Sequence, residues 1–174
     1  MKKSFCIFAF LLIFANALYA LQTSDLTKLR PNEMRANFTL NKTLKGFERT
    51  LVSSGEFYIK QNELYYIVKS PINSVMKINK DGVFYEDNGT FKKSEGNYDK
   101  GLFLSLINLN FNELEKNFNA ILSGDEKKWQ VILEPTNIWL KKIFTHIIIK
   151  GGANVERIEL LEINGDSSVY ELSY

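Results

Sequence analysis

The stretch from Gly55 to Asn88, G-E-F-Y-I-K-Q-N-E-L-Y-Y-I-V-K-S-P-I-N-S-V-M-K-I-N-K-D-G-V-F-Y-E-D-N, leaves a chain few ways to fold. Phe57 and Ile59 alternate with Glu56, Tyr58 and Lys60, the period of two of a half-buried strand. Gln61-Asn62 supplies a turn, and Glu63 to Lys69 reads as a second strand. Pro71 and Asn73 end it, because proline donates no hydrogen bond to a ladder. Val75 to Ile78 forms a third strand. Lys80-Asp81-Gly82 then turns into a fourth, Val83 to Glu86, and Asp-Gly between apolar runs is a strong hairpin signal. The stretch is an antiparallel meander.

The same alternation recurs on either side. Met34, Ala36, Phe38 and Leu40 alternate with Arg35, Asn37, Thr39 and Asn41. Gly55 interrupts the strand that starts near Thr50, where a bulge or bend is the usual meaning. Ser24 is placed to cap a short helix that carries Leu26 and Leu29 on one face. Leu102 to Leu109 has helical spacing and is apolar almost all the way round, so more than one of its sides must be covered. Asn110 and Glu113 have the spacing of a capping box. Ser123-Gly124-Asp125-Glu126 joins two strands, and Ile138, Leu140 and Ile143 fit a short helix after Pro135. Three more strands follow, linked by Gly151-Gly152 and Asn164-Gly165-Asp166. The expected class is mainly β (α+β), with about ten antiparallel strands and three or four short helices.

The first twenty residues have a different character. Lys2 and Lys3 precede an apolar run, Phe5 to Ala15, and Ala15-Asn16-Ala17 or Leu18-Tyr19-Ala20 offers a small-residue exit. Residues 1–20 are expected to be a secretory signal peptide, since the run is shorter than the roughly 20 residues of a spanning helix. Residues 21–174 are then one domain of a size that supports its own core. The single cysteine, Cys6, lies in the leader, so the exported chain has no disulfide and no cysteine-based site. Lys2 and Lys3 also account for the whole net charge of +2. A neutral remainder is a poor nucleic-acid binder, which needs a basic face.

Candidates for chemistry are sparse. His146 is the only histidine, on the strand T-H-I-I-I-K. A serine–histidine–carboxylate set needs three groups in mutual reach, and no G-x-S-x-G elbow presents a serine. Glu156, Glu159 and Glu162 lie three apart, which on a strand sends neighbours to opposite faces. No enzyme activity, metal or cofactor is expected. Asn88-Gly89-Thr90, with Glu86 two residues earlier, is a candidate glycosylation site in a turn.

What remains is an excess of apolar surface. The run Leu64-Tyr65-Tyr66-Ile67-Val68 is apolar on both faces, whereas an antiparallel sheet normally keeps one face wet. Either helices cover a central strand, or a curved sheet encloses an apolar cavity, which would suit acyl chains because each buried methylene contributes roughly 0.8 kcal/mol.

The frame Phe38-Thr39, Gly55-Glu56-Phe57-Tyr58-Ile59-Lys60, Leu64-Tyr65, Ser70-Pro71 and Asp81-Gly82-Val83-Phe84-Tyr85 resembles the LolA family of periplasmic lipoprotein carriers. The C-terminal half is similar to a LolA-like branch linked with glycolipid or polyene-lipid export. The residues there are Leu102, Glu115, Phe118, Ser123-Gly124-Asp125, Trp129, Leu133-Glu134-Pro135, Ile158 to Glu162 and Gly165-Asp166.

The resemblance implies an open half-barrel with helices as a lid over an apolar cavity. Phe57, Ile59, Tyr65, Ile67, Met76, Ile78, Phe84, Trp129 and Val131 would line it, with Leu102 and Leu106 from the lid. It also implies a monomer in the Gram-negative periplasm, an acylated lipoprotein or lipid cargo, an inner-membrane release machine and an outer-membrane acceptor. The alternatives are a dedicated glycolipid or polyene-lipid carrier and a module that binds a protein partner without cargo. Where the family has Lys-Arg-Pro this chain has Lys60-Gln61-Asn62, so Gln61 would be the lid latch. A neutral amide holds lid carbonyls less firmly than a guanidinium. On this reading Phe57→Glu and Ile67→Glu would both leave the fold intact and abolish cargo binding.

Overall fold

The computed structural model describes residues 21–28, 33–61, 63–95 and 100–174. The expected signal peptide lies outside the described residues. Among them, no helix is long and apolar enough to cross a membrane.

One eleven-stranded antiparallel sheet dominates. The first meander is β1 (Met34–Thr43), β2 (Thr50–Lys60), β3 (Glu63–Ser70), β4 (Ser74–Asn79), β5 (Gly82–Asp87) and β6 (Thr90–Lys93). The second is β7 (Phe118–Asp125), β8 (Lys128–Pro135), β9 (Phe144–Gly151), β10 (Val155–Glu162) and β11 (Ser167–Ser173). The strand order is β6-β5-β4-β3-β2-β1-β11-β10-β9-β8-β7, so the first and last strands pair in the middle. β6 and β7 are the free edges, and the sheet is an open half-barrel.

The helices are short: α1 (Thr23–Thr27), α2 (Lys100–Ile107) and α3 (Phe111–Leu114). Two expected caps differ. Gln22, not Ser24, caps α1, through reciprocal bonds with Asp25. Asn110 precedes α3 but its side chain makes no capping bond; its N–H donates to the Ser105 carbonyl at 2.9 Å, and the Glu113 carboxylate accepts from Lys116 at 2.8 Å. After Pro135 the expected helix shrinks to one 3₁₀ turn, Leu140–Lys142, in which Leu140 is buried while Ile138 and Ile143 stay exposed.

Register decides the faces. Ala36, Phe38, Phe57, Ile59, Leu64, Tyr66, Ile78 and Val83 fall on one face of the first meander. Trp129, Val131, Leu133, Ile147, Ile149 and Ile158 share that face in the second. These residues form a single buried cluster with Leu26 of α1, Leu106 and Ile107 of α2, and Phe111 and Leu114 of α3. The helices therefore cover this inner face. The outer face is solvated. There Glu159 accepts hydrogen bonds from Lys150 and Arg157, each at 2.8 Å, and Arg157 also pairs with Glu171. Burial raises the Glu159 carboxyl, but those two bonds outweigh it and hold it below the ordinary range.

Gly55 marks the bulge the alternation suggested, with a register shift against β3 between Ser54 and Gly55. A Cβ there would lie 1.9 Å from the Ile67 carbonyl oxygen and 3.0 Å from the Phe38 ring. Backbone cannot yield as a flexible side chain does. Gly55→Ala is expected to lower unfolding stability in urea by about 1–3 kcal/mol, the usual cost of overpacking; an unchanged midpoint would contradict this account of the bulge.

Candidate functional site

The inner face carries the buried core, and on the central strands its burial is graded from one rim to the other. The β2–β3, β4–β5, β7–β8 and β9–β10 turns form one rim. Next to it Ile59, Leu64, Ile78, Trp129 and Val155 are all buried. The Trp129 indole N–H donates to the Gly152 carbonyl at 2.8 Å, so even its polar end is satisfied. The β1–β2, β8–β9 and β10–β11 connections form the opposite rim. Toward it, on the central strands, Leu40, Val68, Leu160 and Tyr170 are only half-buried, and Leu51 is exposed. On the central strands the inner face is closed at one end and half-open at the other, while over β8 and β9 Leu133 and Ile147 stay buried toward the opposite rim.

Between the two lies an aromatic group. The Phe38 and Tyr66 rings stack at 4.6 Å, and Tyr170 meets Phe38 edge-on at 6.0 Å. The Tyr66 and Tyr170 hydroxyls are hydrogen-bonded to each other. Burial raises both hydroxyls above the ordinary tyrosine range, because a phenolate there would lose its hydration.

The sequence-derived lining residues divide into three sets. Phe57, Ile59, Ile78, Leu106, Trp129 and Val131 lie on the inner face or the helices over it, packed into the core. Met76 and Leu102 are half-buried against that core. Tyr65, Ile67 and Phe84 are corrected: they belong to the outer face. Tyr65 faces Tyr58 and Lys77, Ile67 faces Glu56 and Val75, and Phe84 faces Lys77. The neighbouring Leu64, Tyr66 and Val83 point inward in their place.

The outer aromatics have their own packing. Tyr58 and Tyr65 stack at 4.6 Å, Arg35 lies 5.5 Å from the Tyr58 ring centroid, and Lys77 lies 5.4 Å from Phe84 and 5.1 Å from Phe91. Gln61 stands exposed in the β2–β3 turn at φ 52, and among the described residues its side chain makes no hydrogen bond to a helix. Leu40, Leu160 and Tyr170, at the half-open end, were not singled out by the sequence. β1, which carries Leu40, meets the strands of Leu160 and Tyr170 only through the pairing of β1 with β11.

His146 lies half-buried on the outer face opposite Leu161. Among the described residues no group of three histidine, cysteine or acidic side chains could hold a metal ion.

Two substitutions separate the faces. Phe57 is 1% exposed, so Phe57→Glu is expected to unfold the domain, against the sequence expectation, since an unpaired buried charge costs more than about 4 kcal/mol. Ile67→Glu, on the outer face, should melt within a few degrees of the parent by circular dichroism. The tyrosine pair predicts a pH limit. A raised folded pKa contributes stability in full below the unfolded value and loses it as pH rises, so unfolding stability should fall above about pH 10. In the Tyr66→Phe, Tyr170→Phe double variant that alkaline slope should flatten; an unchanged slope would place its origin elsewhere.

No protein-family model and no curated protein matches the chain. Solved structures of similar course exist. One is a DUF1329 family protein from Desulfovibrio piger, at a TM-score of 0.44 and 8% identity, covering 87% of this chain and 88% of that one. Another is LprF from Mycobacterium bovis, at 0.44 and 12%, covering 87% and 89%. A third, from Vibrio parahaemolyticus, is described as an outer membrane lipoprotein-sorting protein domain, at 0.35 and 10%, covering 89% and 90%.

Proposed function

We propose that the chain is an extracytoplasmic carrier that shields acyl chains of lipoproteins or lipids along the inner face of its half-barrel. The observation that carries this reading is the graded burial of that face. It is packed shut beside Ile59, Leu64 and Trp129, and it stays apolar but half-covered at Leu40, Val68 and Leu160. An acyl chain entering at the half-open end would replace water along these side chains, at roughly 0.8 kcal/mol for each methylene buried.

The helices over the face are short, and α2 reaches the sheet at β4. Shifting α2 and α3 would lengthen the slot without disturbing a strand ladder. Transfer then needs no catalytic group: cargo passes between apolar sites of graded affinity, from an inner-membrane release machine to the carrier and on to an outer-membrane acceptor. The carrier acts as a monomer, in the periplasm, and performs no chemistry.

The test uses detergent-free native mass spectrometry and a fluorescent fatty acid. Protein from a periplasmic extract is expected to carry an acylated mass and to take up the probe. Leu40→Glu combined with Leu160→Glu charges the half-open end, and should cut uptake at least tenfold while leaving the melting curve near the parent's. Bare protein that also refuses the probe would refute the carrier.

A further inference from the structure

The two rims of the sheet differ in chemistry. Among the described residues, the turns of the closed rim present Gln61, Lys80, Asp81, Glu126, Lys127, Ala153 and Asn154. The opposite rim presents Phe47 (69% exposed), Ile138 (68%), Trp139 (69%), Ile143 (47%) and Ile163 (64%). Large apolar side chains in water on three successive connections are a cost to a free monomer, and burial among other groups would remove it.

The three connections form one surface. The Lys45 backbone N–H of the β1–β2 connection donates to the Asp166 carboxylate of the β10–β11 turn at 2.8 Å. The Ile163 N–H of that turn donates to the Ile143 carbonyl, at the end of the β8–β9 connection, at 2.9 Å. Within these segments the Trp139 N–H donates to Asn137 Oδ1 at 2.8 Å, and the Asp166 N–H to Asn164 Oδ1 at 2.9 Å. Phe47, Trp139 and Ile163 are thus carried on short segments tied to one another.

Charge identifies the occupant. Lys45, Arg49, Lys141 and Lys142 lie among the apolar tips, against Glu48 and Asp166. Asp166 is engaged by the Lys45 N–H and by the Asn164 amide at 2.9 Å. Lys142 lies 4.6 Å from the Trp139 ring centroid. An indole beside lysines is the chemistry of the membrane–water interface, where the ring sits at headgroup depth and the ammonium groups meet anionic phosphates. We propose that this rim docks onto the surface of an anionic bilayer, with Phe47, Trp139 and Ile163 entering the headgroup layer.

The docking stands on the rim's own residues and does not depend on the carrier reading. If that reading also holds, docking sets the half-open end of the inner face on the membrane surface. Acyl chains would then pass without crossing water.

The experiment is flotation of the chain from Leu21 onward, which contains every element of the fold, with vesicles of phosphatidylcholine alone or with phosphatidylglycerol. Flotation is expected with the anionic vesicles at low ionic strength, and loss of it at high salt. Tryptophan emission should shift to the blue and be quenched by brominated lipid through Trp139, because Trp129 is buried and gives a constant background. Lys141→Gln with Lys142→Gln should weaken partitioning by roughly 25-fold, at about fivefold for each cation removed near an anionic surface. Phe47→Ser with Trp139→Ser should abolish flotation without changing the melting curve. Lys80→Gln with Lys127→Gln, on the closed rim, should leave flotation unchanged.

Failure to float at low salt would overturn the proposal, as would equal flotation of the parent and the rim variants. Concentration-dependent dimerisation that Phe47→Ser with Trp139→Ser removes, without flotation, would overturn it in favour of a protein contact. Acyl uptake is measured separately, so a failed docking and a failed carrier are told apart.

Discussion

Two meanders that share no hairpin are held in one sheet by the ladder between β1 and β11. It runs from Asn37 opposite Ser173 to Thr43 opposite Ser167, between the first and last strands of the fold. On the inner face it sets Phe38 against Leu172 and Leu40 against Tyr170. Without it Tyr170 would not meet Phe38 and Tyr66, and the inner face would be two separate apolar patches. Such a ladder closes the longest loop the fold contains, and contacts of that range slow folding because the entropy of closure comes before the gain from packing.

The continuous face that results is more than three short helices can cover. Leu26, Leu106, Ile107, Phe111 and Leu114 complete the core over the inner face. The segment after α3 is fastened to the β8–β9 connection, where the Asn117 carbonyl accepts from the Thr136 N–H at 2.8 Å. Toward the other rim the central strands are left with Leu40, Val68 and Leu160 half in water. The bare rim with Phe47 and Trp139 adjoins that end. An incomplete cover, an apolar slot and an apolar rim thus fall on one side of the molecule.

Much of this was legible from local pattern. The alternation of Met34 to Leu40, the strand pair around Gln61-Asn62, the Asp81-Gly82 turn and the Gly55 bulge each follow from side-chain period or turn chemistry. Asn79 reinforces that turn, its side-chain oxygen accepting from the N–H groups of Asp81 and Gly82 at 2.9 and 3.2 Å. The phase of β3 was not legible. Tyr65-Tyr66-Ile67-Val68 is apolar at every position, so the period of two gives no preference between Tyr65 with Ile67 and Tyr66 with Val68. Val83-Phe84-Tyr85 poses the same problem. The helix expected after Pro135 failed for a different reason: three residues at helical spacing make too short a nucleus without burial to hold it.

The amino-acid sequence by itself determined the strands, most of their turns, the shortage of catalytic groups and the surplus of apolar surface. Each depends on residues within a few positions of one another. The tertiary structure decided which of two apolar phases faces the helices, where the inner face stays open and which rim carries exposed aromatics. Those properties depend on register between strands far apart in the chain, and burial belongs to the assembled face, not to any single strand.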